Sequence, residues 1–324
     1  MQFQQIIHYV HINNLRNDYP EAQAVIIGSG LHKPIMDALM LLHAHRHTTP
    51  VLHIECPENE VNALVADCRE RNMVAIIVGN ARFIPTGQPF SVAVVAPAAN
   101  MQSVELYRSA LEHPLLEIFS VIGFQTYFTP PGDIEWLHER AHETLRLGAF
   151  RDAPAEAEPL LREAHHAFFD MNVLRAADAP EIHHLSPNGM YAEELCQLAA
   201  YSGRSPNLQS FRLFNFAPTL SPEMLTAQAA AQVLWHLLEG IAVRHQTHIP
   251  RGTTHIQKII VDAGDHGQAL EFLHDTVTGY WWLRIPLLDS SYRDIACLEE
   301  DYLCARRHEI PVRWLRYFQK FNGK

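Results

Sequence analysis

The sequence predicts an α/β protein in which helices cover both faces of a mainly parallel sheet. Two observations support this prediction: short, continuously apolar runs recur along the chain, and amphipathic segments separate most of them. Strands that are apolar on both sides are typical of parallel sheets buried between helices. We therefore expect a three-layer α/β/α domain over residues 1–250, followed by a C-terminal α+β extension, residues 251–324, packed on the same domain.

The expected elements follow from these two patterns in chain order. The predicted buried strands are residues 24–28, 51–55, 74–79, 91–95, 118–124, 167–170, 209–214 and 258–262. The predicted helices are residues 35–45, 61–72, 102–113, 134–145, 190–201 and 221–244. In the extension we expect an antiparallel pair, residues 266–274 and 280–285, then helices at 292–307 and 311–321.

Composition and charge exclude several classes of protein. Hydrophobic residues make up 48% of the chain and charged residues 19%, which is typical of a globular protein. The net charge of -11 argues against nucleic-acid and anionic-membrane partners. The five cysteines share no C-x-x-C spacing, which favours free thiols. Because the chain shows neither a signal peptide nor an apolar stretch of membrane length, we expect a cytoplasmic protein.

One local pattern matches a known zinc motif. His138, Glu139 and His142 form H-E-x-x-H, in which two histidines one helical turn apart bind zinc and the glutamate acts as general base. Arg140 places a positive charge between the two histidines, and a chain with 21 histidines contains such spacings by chance. A solvated amphipathic helix is therefore the simpler interpretation, and a zinc hydrolase is a second alternative.

Two later strand ends carry a more specific pattern. An apolar strand ends in Asp170-Met171-Asn172, and the strand that follows it ends in Phe214-Asn215. These strand ends, with the long helix expected at 221–244, resemble the arginase, agmatinase and formimidoylglutamase family. The aromatic tail around residues 279–282 and 309–314 resembles extensions in a bacterial formimidoylglutamase-like branch. The resemblance implies an arginase-like fold and an assembly into homo-oligomers.

The same resemblance implies a dinuclear Mn²⁺ site, whose ligands lie at three strand ends. The matching positions, together with the position of a substrate-binding glutamate, are occupied here by Arg82, Ala96, Ala98, Asn100, Asp170, Asn172 and Asn215. Only one of the six metal ligands is retained, as Asp170. Two dications about 3.5 Å apart repel each other by roughly 19 kcal/mol at an effective dielectric near 20. One carboxylate does not offset that repulsion.

A different alignment changes the ligand set only in part. It places Glu55, Pro57 and Asn59 at the second motif, with His32 as the first histidine. One carboxylate is then kept, but the central histidine is still replaced by proline.

From these residues we expect an arginase-fold protein that has lost metal-dependent hydrolysis, is not an enzyme and holds no cofactor. It would serve as a scaffold, a subunit or a binder of a small polar ligand, with a protein partner or a second copy of itself. The alternative is an active formimidoylglutamase-like C–N hydrolase with Mn²⁺ that acts on a formimino or guanidino substrate. A further possibility is an interaction module that presents the aromatic tail (Trp281, Trp282, Trp314, Tyr317 and Phe318), although packing of these rings inside the extension is the simpler expectation.

Overall fold

The computed structural model describes residues 1–10, 19–28, 32–80, 83, 87–100, 104–216, 224–244, 255–262 and 269–323. The chain divides into two compact units. The first unit comprises Met1–Glu135 and Glu143–His245, and the second comprises Trp136–His142 and Gln246–Lys324. The expected packing of the extension on the main domain stays a prediction.

A nine-stranded sheet forms the centre of the first unit. Its strands are β1 (Ile7–Tyr9), β2 (Ala24–Gly28), β3 (Val51–Glu55), β4 (Val74–Val78), β5 (Phe90–Val95), β6 (Leu116–Phe124), β7 (Glu143–Arg146), β8 (His166–Asp170) and β9 (Ser210–Phe214). The lateral order is β1-β3-β2-β4-β9-β8-β5-β6-β7. Each adjacent pair is parallel, so the predicted parallel sheet is confirmed.

Eight helices accompany this sheet or connect its strands along the described chain. They are α1 (Lys33–Met40), α2 (Val61–Glu70), α3 (Glu105–Leu111), α4 (Pro131–Glu139), α5 (Leu147–Asp152), α6 (Ala157–Arg162), α7 (Ala192–Arg204) and α8 (Leu225–Ile241). Alternate strand residues face two different apolar clusters, one shared with α1, α7 and α8 and the other with α2. Helices therefore cover both faces, which is the three-layer arrangement that the apolar strands predict.

The second unit contains a four-stranded antiparallel sheet. Its strands, β10 (Ile256–Asp262), β11 (Ala269–Asp275), β12 (Trp281–Pro286) and β13 (Tyr292–Cys297), lie side by side in chain order. Two helices follow, α9 (Glu299–Arg306) and α10 (Val312–Asn322). The aromatic rings of the tail are mostly buried within this unit: Trp281, Trp282, Trp314 and Tyr317 are each at most 7% exposed. These four rings are therefore buried, whereas Phe318 is partly exposed.

Three predicted elements are wrong. Residues 258–262 lie in β10 of the antiparallel sheet and not in the parallel one. The predicted helix 292–307 begins as strand β13, and its helical part starts only at Glu299, where Asp301 caps the backbone N–H of Leu298 at 2.9 Å. The predicted helix 134–145 ends at Glu139, and residues after the turn pair with β6 as strand β7. In the two mispredicted helices, pairing with a neighbouring strand outweighed the local helical pattern.

Among the described residues, none of the helices combines the length and the apolar character that a bilayer crossing requires.

Candidate functional site at the strand ends

The carboxyl end of β8 places one carboxylate in the interior. Asp170 is the last residue of the strand and is only 6% exposed. A single 3₁₀ turn, Met171–Val173, follows it, and the backbone N–H of Asn172 donates to Asp170 Oδ1 at 2.9 Å. The sequence pattern Asp-x-Asn thus builds a turn in which the first side chain caps the backbone of the third residue.

Burial makes Asp170 an unusual acid. Desolvation raises its pKa from 3.8 to about 6, although hydrogen bonds from the Asn172 backbone and the Asn215 side chain favour the charged form. The nearby His184 also favours the charged form. A carboxyl group with a pKa near 6 is ionised at neutral pH and can still accept and return a proton there.

The loop after β8 brings histidines to the same place. Asn172 Oδ1 accepts a hydrogen bond from the backbone N–H of His184 at 3.0 Å. The far end of the loop is held by Met190, whose backbone N–H donates to the carbonyl of Val173 at 2.8 Å. The Asn172 side chain therefore fixes the loop next to the end of β8. His183 and His184 on this loop line the cavity described next.

A cavity of about 640 Å³ lies at these strand ends. It is lined by Pro97, Ala98, Asn100, Val104, Tyr107, Phe128, Asp170, Asn172, His183, His184, Leu185, Ser186 and Asn215. A smaller cavity of about 340 Å³ shares Val104 and Asn215 with it. The volume of the larger cavity is in the range of small-molecule sites, and strand carboxyl ends are where α/β sheets bind ligands.

Asn215 has a backbone conformation that fits its position. It follows β9 with φ of 62°, in the left-handed region that asparagine tolerates better than most residues. From there its side chain hydrogen-bonds to Asp170. The residue that replaces the family's glutamate therefore bridges the ends of β8 and β9.

Tyr107 on α3 is a further polar group of the cavity. Its side chain is 1% exposed, and its hydroxyl makes no hydrogen bond to any described residue. Burial raises the pKa of this phenol, and the charge of Asp170 raises it further. The hydroxyl is therefore a neutral donor in the same cavity as the carboxylate, and buried hydroxyls without a partner cost free energy unless a ligand or water uses them.

Arg212 places a buried cation beside the smaller cavity. It lies on β9, is 2% exposed and contributes to the lining of that cavity. Burial lowers its pKa to about 10, and the rings of Phe83 and Phe168 lie 5.4 and 5.9 Å from its guanidinium carbon. The two adjoining cavities thus present a carboxyl group, from Asp170, and a guanidinium, from Arg212, on neighbouring strands.

The structure brings together most of the positions that the resemblance marked. Five of them line the larger cavity: Ala98, Asn100, Asp170, Asn172 and Asn215. Ala96 is buried directly after β5 and does not contribute to the lining. Arg82 lies outside the described residues, so its place in the site stays a prediction.

Tyr107 and Arg212 were not predicted from the sequence to belong to this site, and the pair His183-His184 was predicted only as a weak candidate for a ligand cluster. Tyr107 and Arg212 sit at ordinary apolar positions of a helix and a strand, so their type and burial are the only local signals. His184 belongs to a loop whose path depends on the hydrogen bond to Asn172.

The alternative alignment does not bring its residues to this cavity. Glu55 ends β3, and three strands separate β3 from β8 in the sheet. At about 4.8 Å per strand, four steps amount to roughly 19 Å. Glu55 and Asp170 therefore belong to separate places in the sheet.

The H-E-x-x-H pattern does not have the geometry of a zinc helix. The helix ends at Glu139, and Ala141 has φ of 52°. His142 is buried with Lys320 Nζ 3.4 Å from its Nδ1, and burial, Lys320 and Arg140 lower its pKa to about 3. His138 is exposed. The two histidines therefore do not share a helix face, and the zinc-hydrolase alternative is wrong.

The two Mn²⁺ ions that the resemblance to the arginase family implies would need several anionic ligands in the described lining of the cavity. This lining offers one carboxylate, Asp170, with amides and the imidazoles of His183 and His184. A single negative charge does not offset two dications held at short distance. The donors described here do not fit a dinuclear manganese centre.

Comparison with known proteins shows what the chain is similar to. No family model matches the sequence. A formimidoylglutamase from Bacillus subtilis (strain 168) is 36% identical over 72 residues, which are 22% of this chain and 23% of that protein. The match therefore spans about a quarter of the length of this curated relative.

Solved structures share the fold over most of the chain. The formiminoglutamase of Trypanosoma cruzi has a TM-score of 0.64 and 14% identity, covering 75% of this chain and 99% of that one. The formimidoylglutamase of Bacillus subtilis gives 0.64 and 16%, covering 75% and 92%. An agmatine ureohydrolase of Thermoplasma volcanium gives 0.56 and 15%, covering 72% and 94%.

The first unit therefore has the arginase fold. The shared fold, and the sequence similarity over 72 residues to a formimidoylglutamase, agree with the resemblance to the arginase–formimidoylglutamase (ureohydrolase) family noted at the strand ends. A structure of the Trypanosoma cruzi enzyme is described with Mn²⁺.

The prediction that this chain is not an enzyme is wrong. The curated relative and the structural neighbours are enzymes, and nothing in the comparisons indicates a loss of catalysis. The physical reason for the error is that the prediction counted metal ligands alone. The folded chain gathers Asp170, Tyr107 and His184 around one cavity, and Tyr107 was not recognised in the sequence.

Proposed function

We propose that this protein hydrolyses a C–N bond of a small formimino or guanidino compound in the larger cavity. The observation that carries the proposal is Asp170, a carboxyl group 6% exposed whose pKa is about 6. The similarity to formimidoylglutamases supports the substrate class.

The cavity suits a planar cation with several N–H donors. Asp170 supplies the negative charge, and the carbonyl oxygens of the asparagine side chains that line the wall supply further acceptors. Charge-assisted hydrogen bonds of this kind, formed away from water, are stronger than neutral ones. Formimino and guanidino groups are both planar cations at neutral pH, and either would find its counter-ion in Asp170.

The proposed chemistry needs one group that takes and returns a proton. Asp170 accepts a proton from a water molecule as the water oxygen bonds to the formimino or guanidino carbon. The protonated Asp170 then gives this proton to the leaving nitrogen as the C–N bond breaks. The products are an amine and formamide, or an amine and urea. The Tyr107 hydroxyl donates a hydrogen bond within the cavity and stays protonated throughout, since burial keeps its pKa well above 10.

Arg212, the buried cation on β9, would contact the end of the substrate that is not hydrolysed. Arg212 lines the adjoining cavity, so it would attract a carboxylate and repel an amine. A formimino amino acid with a free carboxylate is therefore a better substrate than a guanidino compound with a terminal amine. This preference follows from the positive charge of the buried Arg212 side chain.

The test compares N-formimino-L-glutamate with agmatine, with formamide, urea and amine release as the readouts. Each reaction is run with EDTA and, separately, with added Mn²⁺. We expect turnover of the formimino compound that survives EDTA and rises about tenfold per pH unit up to about pH 6, where Asp170 ionises. Asp170→Asn should lower turnover by about 100-fold or more, which is typical for loss of a general base.

The matched control is Asp152→Asn, since Asp152 is an exposed aspartate at the end of α5. It should leave turnover unchanged. Turnover that requires Mn²⁺, or that is unaffected in Asp170→Asn, would contradict the proposed role of Asp170. Binding of either compound without any product would contradict the hydrolase proposal as a whole.

A further inference from the structure

A second cluster of chemically active side chains lies at the ends of β2 and β3. It consists of His32, His53 and Glu55, whose ligand atoms all lie within 4.8 Å of one another. Among the described residues this is the only group of three or more His, Cys, Asp or Glu side chains that close together. It lies three strands away from Asp170, so it is separate from the cavity discussed above.

The strands and the first helix set this geometry. His53 and Glu55 are two residues apart on β3 and therefore point to the same face of the sheet. Glu55 pairs with Gly28 at the end of β2. His32 precedes α1, and its Nε2 lies 3.4 Å from Glu55 Oε1.

Gly28 makes the space for the imidazole of His32. A Cβ atom at position 28 would lie 2.4 Å from His32 Nε2 and 2.5 Å from two ring carbons. Any larger residue would force this ring away from Glu55. The close approach is therefore encoded by the lack of a side chain at this position.

His53 has the properties of a metal ligand. It is 2% exposed, and neither of its ring nitrogens makes a hydrogen bond to a described residue. Burial lowers its pKa to about 4, with a smaller contribution from His32. The ring is therefore neutral at physiological pH and keeps a lone pair for a metal.

We propose that His32, His53 and Glu55 bind one Zn²⁺ ion. Two imidazoles and a carboxylate are a ligand set typical of zinc sites that leave a fourth position open. Tetrahedral zinc needs donors about 3.4 Å apart. His32 Nε2 and Glu55 Oε1 already have this separation, so the contraction that remains, at most about 1.4 Å, concerns the distances to His53. The Glu55 side chain is 68% exposed, so the fourth position faces solvent.

The experiment measures zinc bound to the tag-free protein after dialysis, together with the visible spectrum of the Co²⁺-substituted protein. We expect one metal per chain and the intense absorption of four-coordinate Co²⁺. Glu55→Gln tests the site without disturbing the core, because the residue is exposed. His53→Gln tests the buried ligand. Each should weaken Zn²⁺ binding by about 100-fold or more, beyond the 10–100-fold typical of groups outside the ligand shell.

The controls separate this site from the other histidines and from the cavity. His43→Gln changes an exposed histidine outside the cluster and should bind zinc as the parent does. Asp170→Asn should also bind zinc normally, so a failure of the proposed hydrolysis leaves this result unaffected. The proposal is overturned if the parent binds no zinc below about 1 mM, or if Glu55→Gln and His53→Gln both bind it with unchanged affinity and an unchanged Co²⁺ spectrum.

Discussion

At the scale of single residues, the buried acid Asp170 couples the cavity to the stability of the fold. Desolvation by burial raises its pKa from 3.8 to about 6. Between these two pH values the folded protein therefore binds more protons than the unfolded chain. The contribution of Asp170 to stability is fully present below about pH 4 and is lost as the pH rises through 6.

We therefore expect Asp170→Asn to raise the free energy of unfolding at pH 7 and above. A shift of about two pKa units corresponds to about 3 kcal/mol, and the amide oxygen can still accept the Asn172 hydrogen bond. The difference between variant and parent should vanish below about pH 4. Urea unfolding measured from pH 3.5 to 8 checks this, and a variant that is less stable than the parent at pH 8 would contradict it.

At the scale of elements, α7 and α8 pack through a pair of glycines. A Cβ atom on Gly203 would lie 2.2 Å from the carbonyl oxygen of Leu237, and one on Gly240 would lie 2.8 Å from that of Ala200. The two backbones therefore touch directly. Thr226 on α8 also holds the loop that carries the site histidines, through buried hydrogen bonds with Glu181. We therefore expect the packing of α7 against α8 to help hold this loop in place.

Gly203→Ala should destabilise the first unit, because the clash is with backbone and cannot be relieved by a rotamer change. We expect a loss of about 2–4 kcal/mol, which is typical of overpacking or strain in a core. Gly132→Ala on α4 is the matched control, since nothing lies within 4 Å of its Cβ position. Thermal unfolding of both variants checks the prediction, and equal melting temperatures would show that the helices can separate at no cost.

The same α8 helix fixes a loop near the N-terminus. Glu239 accepts hydrogen bonds from the backbone N–H groups of His45 and Arg46 at 2.9 and 2.7 Å. Its carboxylate also lies 3.4 Å from the backbone nitrogen of His47. Glu239→Gln replaces one acceptor oxygen with a donor, so we expect a loss of about 1–3 kcal/mol. Hydrogen exchange at residues 45–47 should speed up in this variant and stay unchanged in Gly132→Ala.

At the scale of the whole molecule, the class of the fold was predictable and the lateral order of strands was not. Continuous apolar runs identified seven of the nine strands of the parallel sheet, because burial on both faces leaves a strong local signal. β1 and β7 were missed, since they are short edge strands whose residues carry no such run. The predicted homo-oligomer, the protein partner and the cytoplasmic location stay predictions, and light scattering of the purified chain would test the first.

The candidate site was predictable only in part, for a similar reason. Three of its residues lie at or just after the ends of strands: Asp170, Asn172 and Asn215. Because the carboxyl ends of parallel strands meet at one edge of the sheet, these residues lie close together. Tyr107 and His184 reach the same cavity by way of a helix and a loop, and their positions depend on packing and on one hydrogen bond.

The sequence by itself determined the layered α/β class and the acid at the end of β8, because each of these is a property of residues in order. Only the tertiary structure decided which strands are neighbours, and with that the separation of Glu55 from Asp170 and the meeting of His32, His53 and Glu55. The order of the strands depends on packing throughout the core, so it cannot be predicted from any short stretch of sequence.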